Sequence, residues 1–166
     1  MALPTVFRTD LDEQWTTAAD GDLVGSIRWE HDGTNNRWKC YKCVRYNAAT
    51  ADVAGVAGEV TYYYAAGGAD DSTGYDLSVV TSDLTDSSEI GAGVLQAALA
   101  DDAYGWIQIK GWATLSIELT AEADGGPLTP TGSADGSIDL STAATDHICA
   151  VSLDASANII ICDFPF

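Results

Sequence analysis

The stretch Tyr104-Gly-Trp-Ile-Gln-Ile-Lys-Gly-Trp-Ala-Thr-Leu-Ser-Ile-Glu-Leu119 carries the clearest structural pattern in the chain. One parity of this stretch is apolar, and its members are Ile107, Ile109, Ala113, Leu115, Ile117 and Leu119. From Trp106 onward the other parity is polar except for Trp106 and Trp112. A period of two over this length predicts a half-buried β-strand, and Gly111 predicts a bend or a break within it.

Other segments also have the composition of strands. Residues 38–46 alternate in polarity, and residues 59–64 are dense in β-branched and aromatic side chains. Residues 147–163 predict a terminal hairpin with its turn near residues 154–157. Residues 87–100 fit either a strand or a short helix, because helical spacing of apolar residues competes there with two glycines. With few helix formers and many Gly- and Asp-rich turns, the sequence predicts an all-β fold, a small β-barrel or sandwich with an N-terminal arm and turn-rich loops.

The length of the chain bounds its domain organisation. It has 166 residues, a mass of 17.4 kDa and 46% hydrophobic residues, which is enough for one domain with its own core. We predict an N-terminal arm over residues 1–20, where periodicity is sparse, and a single β domain over residues 21–166. The Gly- and Asp-rich residues 66–86 are a possible inserted loop.

The net charge is −18 at pH 7, with a pI near 4.1. Phosphate binding needs clustered Lys and Arg, so this charge argues against nucleic acid and against an anionic membrane surface as partners. We expect no membrane-spanning segment, because the longest apolar run, residues 90–100, is far shorter than the roughly 20 residues that a spanning helix needs. The first residues lack the basic and apolar regions of a secretory signal, so we expect no export by that route.

The charges are unevenly distributed along the chain. The first 45 residues hold six of the seven bases against seven acids, a net charge of −1, whereas the remainder carries −17. Either this quarter is an ordinary solvated surface of mixed sign, or it docks on an acidic partner. We predict contacts to a partner from its bases and from two apolar residues of the arm. These candidates are Val6, Phe7, Arg8, Arg28, Arg37, Lys39, Lys42 and Arg45.

Aromatic residues on predicted strands suggest a second kind of contact. Tyr62 and Tyr64 share one face of a strand and Tyr63 the other, while Trp106 and Trp112 lie on the polar parity of theirs. These rings either fill a barrel core, stack on sugars or lie in a subunit interface. A strand face that is polar except for tryptophans is expected to be covered by another part of the protein or by a second subunit. We therefore predict that these five residues form an oligomer interface.

The four cysteines offer little chemistry. Cys40 and Cys43 have the C-x2-C spacing of a zinc knuckle, but Cys149 and Cys162 do not repeat it. A C-x2-C on a strand places its side chains on opposite faces, which favours small buried thiols over a zinc site or a redox disulfide.

Recognisable catalytic motifs are also lacking. The histidines His31 and His147 have no adjacent nucleophile, and no nucleotide-binding, hydrolase or metalloprotease motif occurs. Asp-Gly pairs suggest calcium loops but fit solvated turns equally well. We therefore expect no enzyme activity, no catalytic or metal site and no cofactor.

Several segments between about residues 40 and 163 resemble the small β-barrel decoration proteins, also called cement or head-stabilising proteins, of tailed bacteriophages. The segments that carry the resemblance are VAGVAG at 53–58, IGAGVLQAAL at 90–99, YGWIQIKG at 104–111, PLTP at 127–130 and ICAVSL at 148–153. The third of these, with a terminal hairpin after it, is the most distinctive.

This resemblance implies a structural role. Such proteins bind the outside of an icosahedral shell, often as trimers, and stabilise it against the pressure of the packaged DNA. It implies the major capsid protein as partner, a homotrimer, and a location on the outer surface of the virion after assembly in the host cytoplasm. A glycan-binding or tail-associated β-sandwich module is the alternative function.

Overall fold

The computed structural model describes residues 7–48, 53–65, 77–117, 119, 123–130 and 134–165. These residues form ten β-strands and one short 3-10 turn at Ala155–Ala157. In chain order the strands are β1 (Ile27–Asp32), β2 (Arg37–Tyr46), β3 (Val60–Tyr64), β4 (Val79–Thr81), β5 (Ser87–Leu95), β6 (Tyr104–Thr114), β7 (Pro127–Thr129), β8 (Asp139–Leu140), β9 (Ala150–Asp154) and β10 (Ile159–Asp163). The predicted all-β fold class is confirmed. Within the described ranges no helix has the length and apolar character needed to cross a membrane.

Five strands close into a barrel in the order β2, β4, β3, β5, β6. Closure comes from β6, which pairs antiparallel with β2 as well as with β5. The short β4 is parallel to β2, and the other barrel pairs are antiparallel. Of the two architectures that the sequence left open, the structure therefore has the barrel.

The remaining strands extend from this barrel on two sides. β1 pairs with the first half of β2, and β10, β9, β7 and β8 continue in that order from the second half of β6. β6 thus belongs both to the barrel and to an outer sheet. The change of partner occurs around Gly111, whose φ of 91° is rarely adopted by other residues. β6 nevertheless runs unbroken through this glycine, so the strand is not interrupted there.

The interior of the barrel is one apolar cluster. Its side chains come from every barrel strand and from the outer sheet, and fully buried examples are Val44, Tyr62, Leu95, Ile107 and Ile160. Burial of this apolar surface is the main contribution to the stability of the fold.

In the ambiguous segment 87–100, β5 forms a strand over Ser87–Leu95, and no helix follows it there. A Cβ at Gly91 would lie 2.8 Å from the Phe164 ring, so this glycine allows the C-terminal segment to approach the strand closely. The predicted terminal hairpin is also confirmed: β9 and β10 pair antiparallel, and the 3-10 turn between them begins after Asp154, whose side chain accepts a hydrogen bond from the Ala157 amide.

The segment before β1 forms a second, smaller core on the outside of the barrel. Phe7, Leu11 and Trp15 pack there against Tyr41 and Trp106, on the face opposite the barrel interior. The part of the predicted arm that lies in residues 7–20 is therefore packed on the barrel and has a core of its own. Residues 1–6 and 66–76 lie outside the described residues.

Candidate functional site

Phe7 and Arg28, two of the predicted contact residues, make their contacts within the chain. The Phe7 ring meets the Trp106 indole edge to face, with 5.5 Å between the ring centroids. The Arg28 guanidinium lies 5.2 Å from the Phe7 centroid, donates a hydrogen bond to the Thr9 carbonyl at 3.0 Å and forms an ion pair with Glu30. Both residues hold the N-terminal segment on the barrel, and each is partly exposed, so their contact with a partner stays a prediction. Val6 lies outside the described residues.

Asp22, which the sequence offered only as part of a possible calcium loop, is the main polar anchor of this segment. Its carboxylate accepts hydrogen bonds from the Arg8 and Thr9 amides and, at 2.7 Å, from the Thr9 hydroxyl. The same hydroxyl accepts a hydrogen bond from the Trp106 indole nitrogen at 3.0 Å. The exposed Arg8 donates from its guanidinium to the Ala19 carbonyl, so it too has a local role.

Lys42 is buried, which corrects its prediction as a surface contact. Its side chain is only 6% exposed, and its ammonium group lies 5.0 Å from the centroid of the Tyr63 ring. The ammonium donates hydrogen bonds to the Tyr63 hydroxyl at 3.2 Å and to the Leu77 carbonyl at 2.6 Å. Arg45 stays near the surface, where it forms an ion pair of 3.4 Å with Asp102.

The predicted oligomer interface is also largely internal. Tyr62, Tyr63, Tyr64 and Trp106 are buried by the chain itself, so a subunit is not needed to cover them. The Tyr63 hydroxyl donates a hydrogen bond to the Pro165 carbonyl at 2.9 Å, and burial raises the pKa of this tyrosine to about 12. The prediction that the second face of β6 is covered holds at Trp106, but the cover is the N-terminal segment.

Three predicted residues remain together near the surface: Arg37, Lys39 and Trp112. The Arg37 guanidinium lies 5.7 Å and the Lys39 ammonium 5.1 Å from the Trp112 ring, within the range of cation–π attraction. Among the described residues, neither cation forms an ion pair with a carboxylate. Arg37 is exposed, and Lys39 and Trp112 are half-buried.

Trp112 continues into an exposed row of apolar residues on the outer sheet. The strand register places Pro127 of β7 beside Val151 of β9, Val151 beside Ile161 of β10, and Ile161 beside Trp112 of β6. Paired residues of neighbouring strands project from the same side of a sheet, so the four form one row. Val151 is 39% exposed and Ile161 45%.

Two further residues widen this row into a surface. Leu153, two residues along from Val151, is 41% exposed, and Trp38 is 60% exposed. Trp38 and Leu153 line a shallow depression of about 300 Å³ together with Arg37, Gly111, Trp112 and Ile161. We call the set Trp38, Trp112, Pro127, Val151, Leu153 and Ile161 the apolar face. Of this set, only Trp112 was predicted from the sequence, although Val151, Leu153 and Ile161 fall on the exposed parity of β9 and β10 and were a usable signal.

The cysteines lie in the two cores. Cys40 belongs to the barrel interior and Cys43 to the outer core, so the C-x2-C pair is divided between opposite faces of β2 as expected. All four cysteines are free and buried, and burial raises the pKa of the Cys43 and Cys149 thiols to about 12. Within the described residues there is no group of three or more side chains arranged to hold a metal ion.

We expect the native thiols to resist alkylation. At about pH 8, where an ordinary thiol is partly ionised, iodoacetamide should label none of the four cysteines of the folded chain, because both burial and the raised pKa suppress the reactive thiolate. Mass spectrometry should show four labels after denaturation. A Ser156→Cys variant, with its new thiol on the exposed terminal turn, is the control and should gain one label while folded. Rapid labelling of Cys43 in the native protein would contradict this arrangement.

The candidate binding site is therefore the apolar face, with the cationic side chains of Arg37 and Lys39 at its edge. Such a contiguous exposed apolar patch is typical of an interaction surface. Comparison of the chain with protein-family models, with curated proteins and with solved structures finds no significant match.

Proposed function

We propose that this chain is a structural decoration protein of a tailed-bacteriophage head, which binds the outer capsid surface and stabilises it against internal DNA pressure. The observation that supports this most is the apolar face on a small barrel of strongly acidic composition. An exposed apolar surface of this kind suits binding to another protein. The partner in this proposal is the major capsid protein.

The position of the resembling segments gives the proposal further support. YGWIQIKG forms most of β6, the strand that closes the barrel, and the terminal hairpin β9–β10 pairs with the second half of that strand. Two of the segments that carry the resemblance to decoration proteins, YGWIQIKG and ICAVSL, thus lie in one continuous part of the sheet. Trp112, Val151 and Ile161 of the apolar face lie on these same strands.

The charge of the chain also suits a protein present in many copies. With a net charge of −18, neighbouring copies repel unless a specific contact holds them, which keeps a dense array soluble. We propose that the copies assemble in the host cytoplasm onto the virion surface as homotrimers. The contacts within a trimer then lie outside the buried Tyr62, Tyr63, Tyr64 and Trp106.

Cosedimentation with purified phage heads tests the proposal. The labelled full-length chain should pellet with mature, expanded heads in saturable amounts and should raise the temperature at which the heads release their DNA. Heads already saturated with the unlabelled chain are the control, since they should take up far less of the labelled chain. A chain that stays in the supernatant with heads of every maturation state would refute the proposed function.

A glycan-binding or tail-associated module is the second candidate, and a specific feature favours it. Trp112 also lines a depression of about 410 Å³ whose other lining residues include Lys39, Gln96 and Gln108. An indole beside hydrogen-bonding groups is able to stack on a sugar ring and bind its hydroxyls. Binding on a glycan array that is lost in a Trp112→Ala variant, without any binding to heads, would favour this candidate.

A further inference from the structure

We propose that the apolar face binds an extended segment of a partner protein that is both apolar and acidic, with Arg37 and Lys39 contacting its carboxylates. This inference deepens the proposed function and rests on it for the identity of the partner, which is then the major capsid protein. The chemistry of the segment itself follows from the surface.

The apolar half of the argument is the size and continuity of the row. Pro127, Val151, Ile161 and Trp112 lie on four neighbouring strands, so with about 4.8 Å between strands the row is about 14 Å long. Beside it, the depression between Trp38 and Leu153 offers a place for one apolar side chain. A single exposed apolar residue is ordinary on a protein surface, whereas a continuous row favours a partner that buries it.

The acidic half of the argument is charge complementarity. Arg37 and Lys39 of β2 lie against Trp112 at the edge of the row. Lys110, which is on the same strand as Trp112, instead forms an ion pair with Asp163. The nearby Asp32 carboxylate accepts hydrogen bonds from the Thr34 amide and from the Asn35 side chain. The pKa of Asp32 is lowered chiefly by the hydrogen bond from the Asn35 side chain and only slightly by the positive charge of Lys39.

The two cations therefore form a positive edge on a chain of net charge −18. An acidic segment is attracted to this edge and repelled by the rest of the surface, which directs it to one place and orientation. Charge also decides between a partner and a second copy of this chain. Two copies bring together two bodies of charge −18, so the apolar face of one copy gains no complementary charge from the same face of another.

Titration of the full-length chain with a synthetic peptide tests this inference without capsids. The probe has about ten residues, longer than the face when extended, with aspartate alternating with leucine. Two peptides of the same length are controls, one with asparagine for aspartate and one with serine for leucine. We expect the first peptide to shift the backbone amide resonances of β6, β9 and β10 in a saturable way. The asparagine peptide should bind about tenfold more weakly because it loses two exposed charge contacts, and the serine peptide should not bind.

Variants of the chain locate the binding. A Leu153→Thr/Ile161→Thr double variant keeps strand-forming residues and should bind the acidic peptide about 30-fold more weakly. Its matched control, Val56→Thr/Leu77→Thr, changes side chains that are as exposed but lie outside the outer sheet, and it should bind normally. Arg37→Gln/Lys39→Gln should weaken the acidic peptide to the level of the asparagine peptide, whereas Arg45→Gln should not.

The outcomes separate this inference from the proposed function. Equal binding of all three peptides, or normal binding by the Leu153→Thr/Ile161→Thr variant, would overturn the inference. So would sedimentation showing that the same double variant abolishes self-association, because the occupant would then be a second copy. Heads that bind this variant as well as the unaltered chain would overturn the inference and leave the proposed function standing. Binding of the acidic peptide without binding to heads would overturn the proposed function and leave this inference standing.

Discussion

Replacing Trp106 with alanine should lower the free energy of unfolding by about 3–5 kcal/mol, the usual loss when a buried aromatic ring is removed. The indole is fully buried, packs against Phe7 and donates a hydrogen bond to the Thr9 hydroxyl. Its loss leaves a cavity beneath the N-terminal segment and removes the donor to the Thr9 hydroxyl, which keeps only its own hydrogen bond to Asp22. Urea denaturation measures the loss in stability, and faster trypsin cleavage after Arg8 measures the release of the segment.

Trp29→Ala is the matched control for this variant. Trp29 is 56% exposed on β1, so its removal should change the free energy of unfolding by no more than about 0.5 kcal/mol. Trypsin should cleave after Arg8 no faster in this control than in the unaltered chain. An equal loss in both variants would show that the N-terminal segment does not depend on Trp106, contrary to the packing described above.

A Gly111→Ala variant should lose about 2–4 kcal/mol of stability, from backbone strain together with a steric clash. Gly111 has a φ of 91°, and a Cβ there would lie 2.5 Å from the Trp38 carbonyl oxygen. That oxygen belongs to the backbone of a paired strand, so it moves away only if the pairing of β2 with β6 is disturbed. Thermal or urea denaturation measures the effect.

Two other glycines separate strain from clash. Gly125 has a φ of 82°, and a Cβ there would have no other atom within 4 Å, so Gly125→Ala should cost only the strain, about 1–2 kcal/mol. Gly33 has open space and no positive φ, so Gly33→Ala should change stability by less than about 0.5 kcal/mol. If all three variants lose the same amount, the close approach at Gly111 is not a determinant of the fold.

Much of the fold could be predicted from local patterns. Alternation along β6 and the terminal hairpin depend on residues close in sequence, and a strand's two faces follow from its period of two. The division of Cys40 and Cys43 between two faces followed in the same way. The strand at residues 87–95 was not predictable locally, because its helical spacing is overridden by pairing with β3 and β6.

The candidate site was predicted less well, because clustering of charge along the chain does not say which side chains reach solvent. Arg28 and Lys42 belong to the basic quarter but interact with Phe7 and Tyr63 inside the protein. Arg37 and Lys39, from the same quarter, lie at the surface beside Trp112. A long side chain with a charged end is compatible with either position, and its neighbours in three dimensions select between them.

The amino-acid sequence alone thus established the strands β2, β3 and β6, the terminal hairpin, the acidic charge and the need for a cover over Trp106. The three-dimensional fold supplied the cover itself, since the hydrogen bond from Trp106 to Thr9 joins residues 97 positions apart. It likewise assembled the apolar face, whose row from Pro127 to Trp112 depends on the register of four strands. The physical reason is that periodicity describes the two faces of one strand, whereas what covers a face depends on pairing between strands distant in the chain.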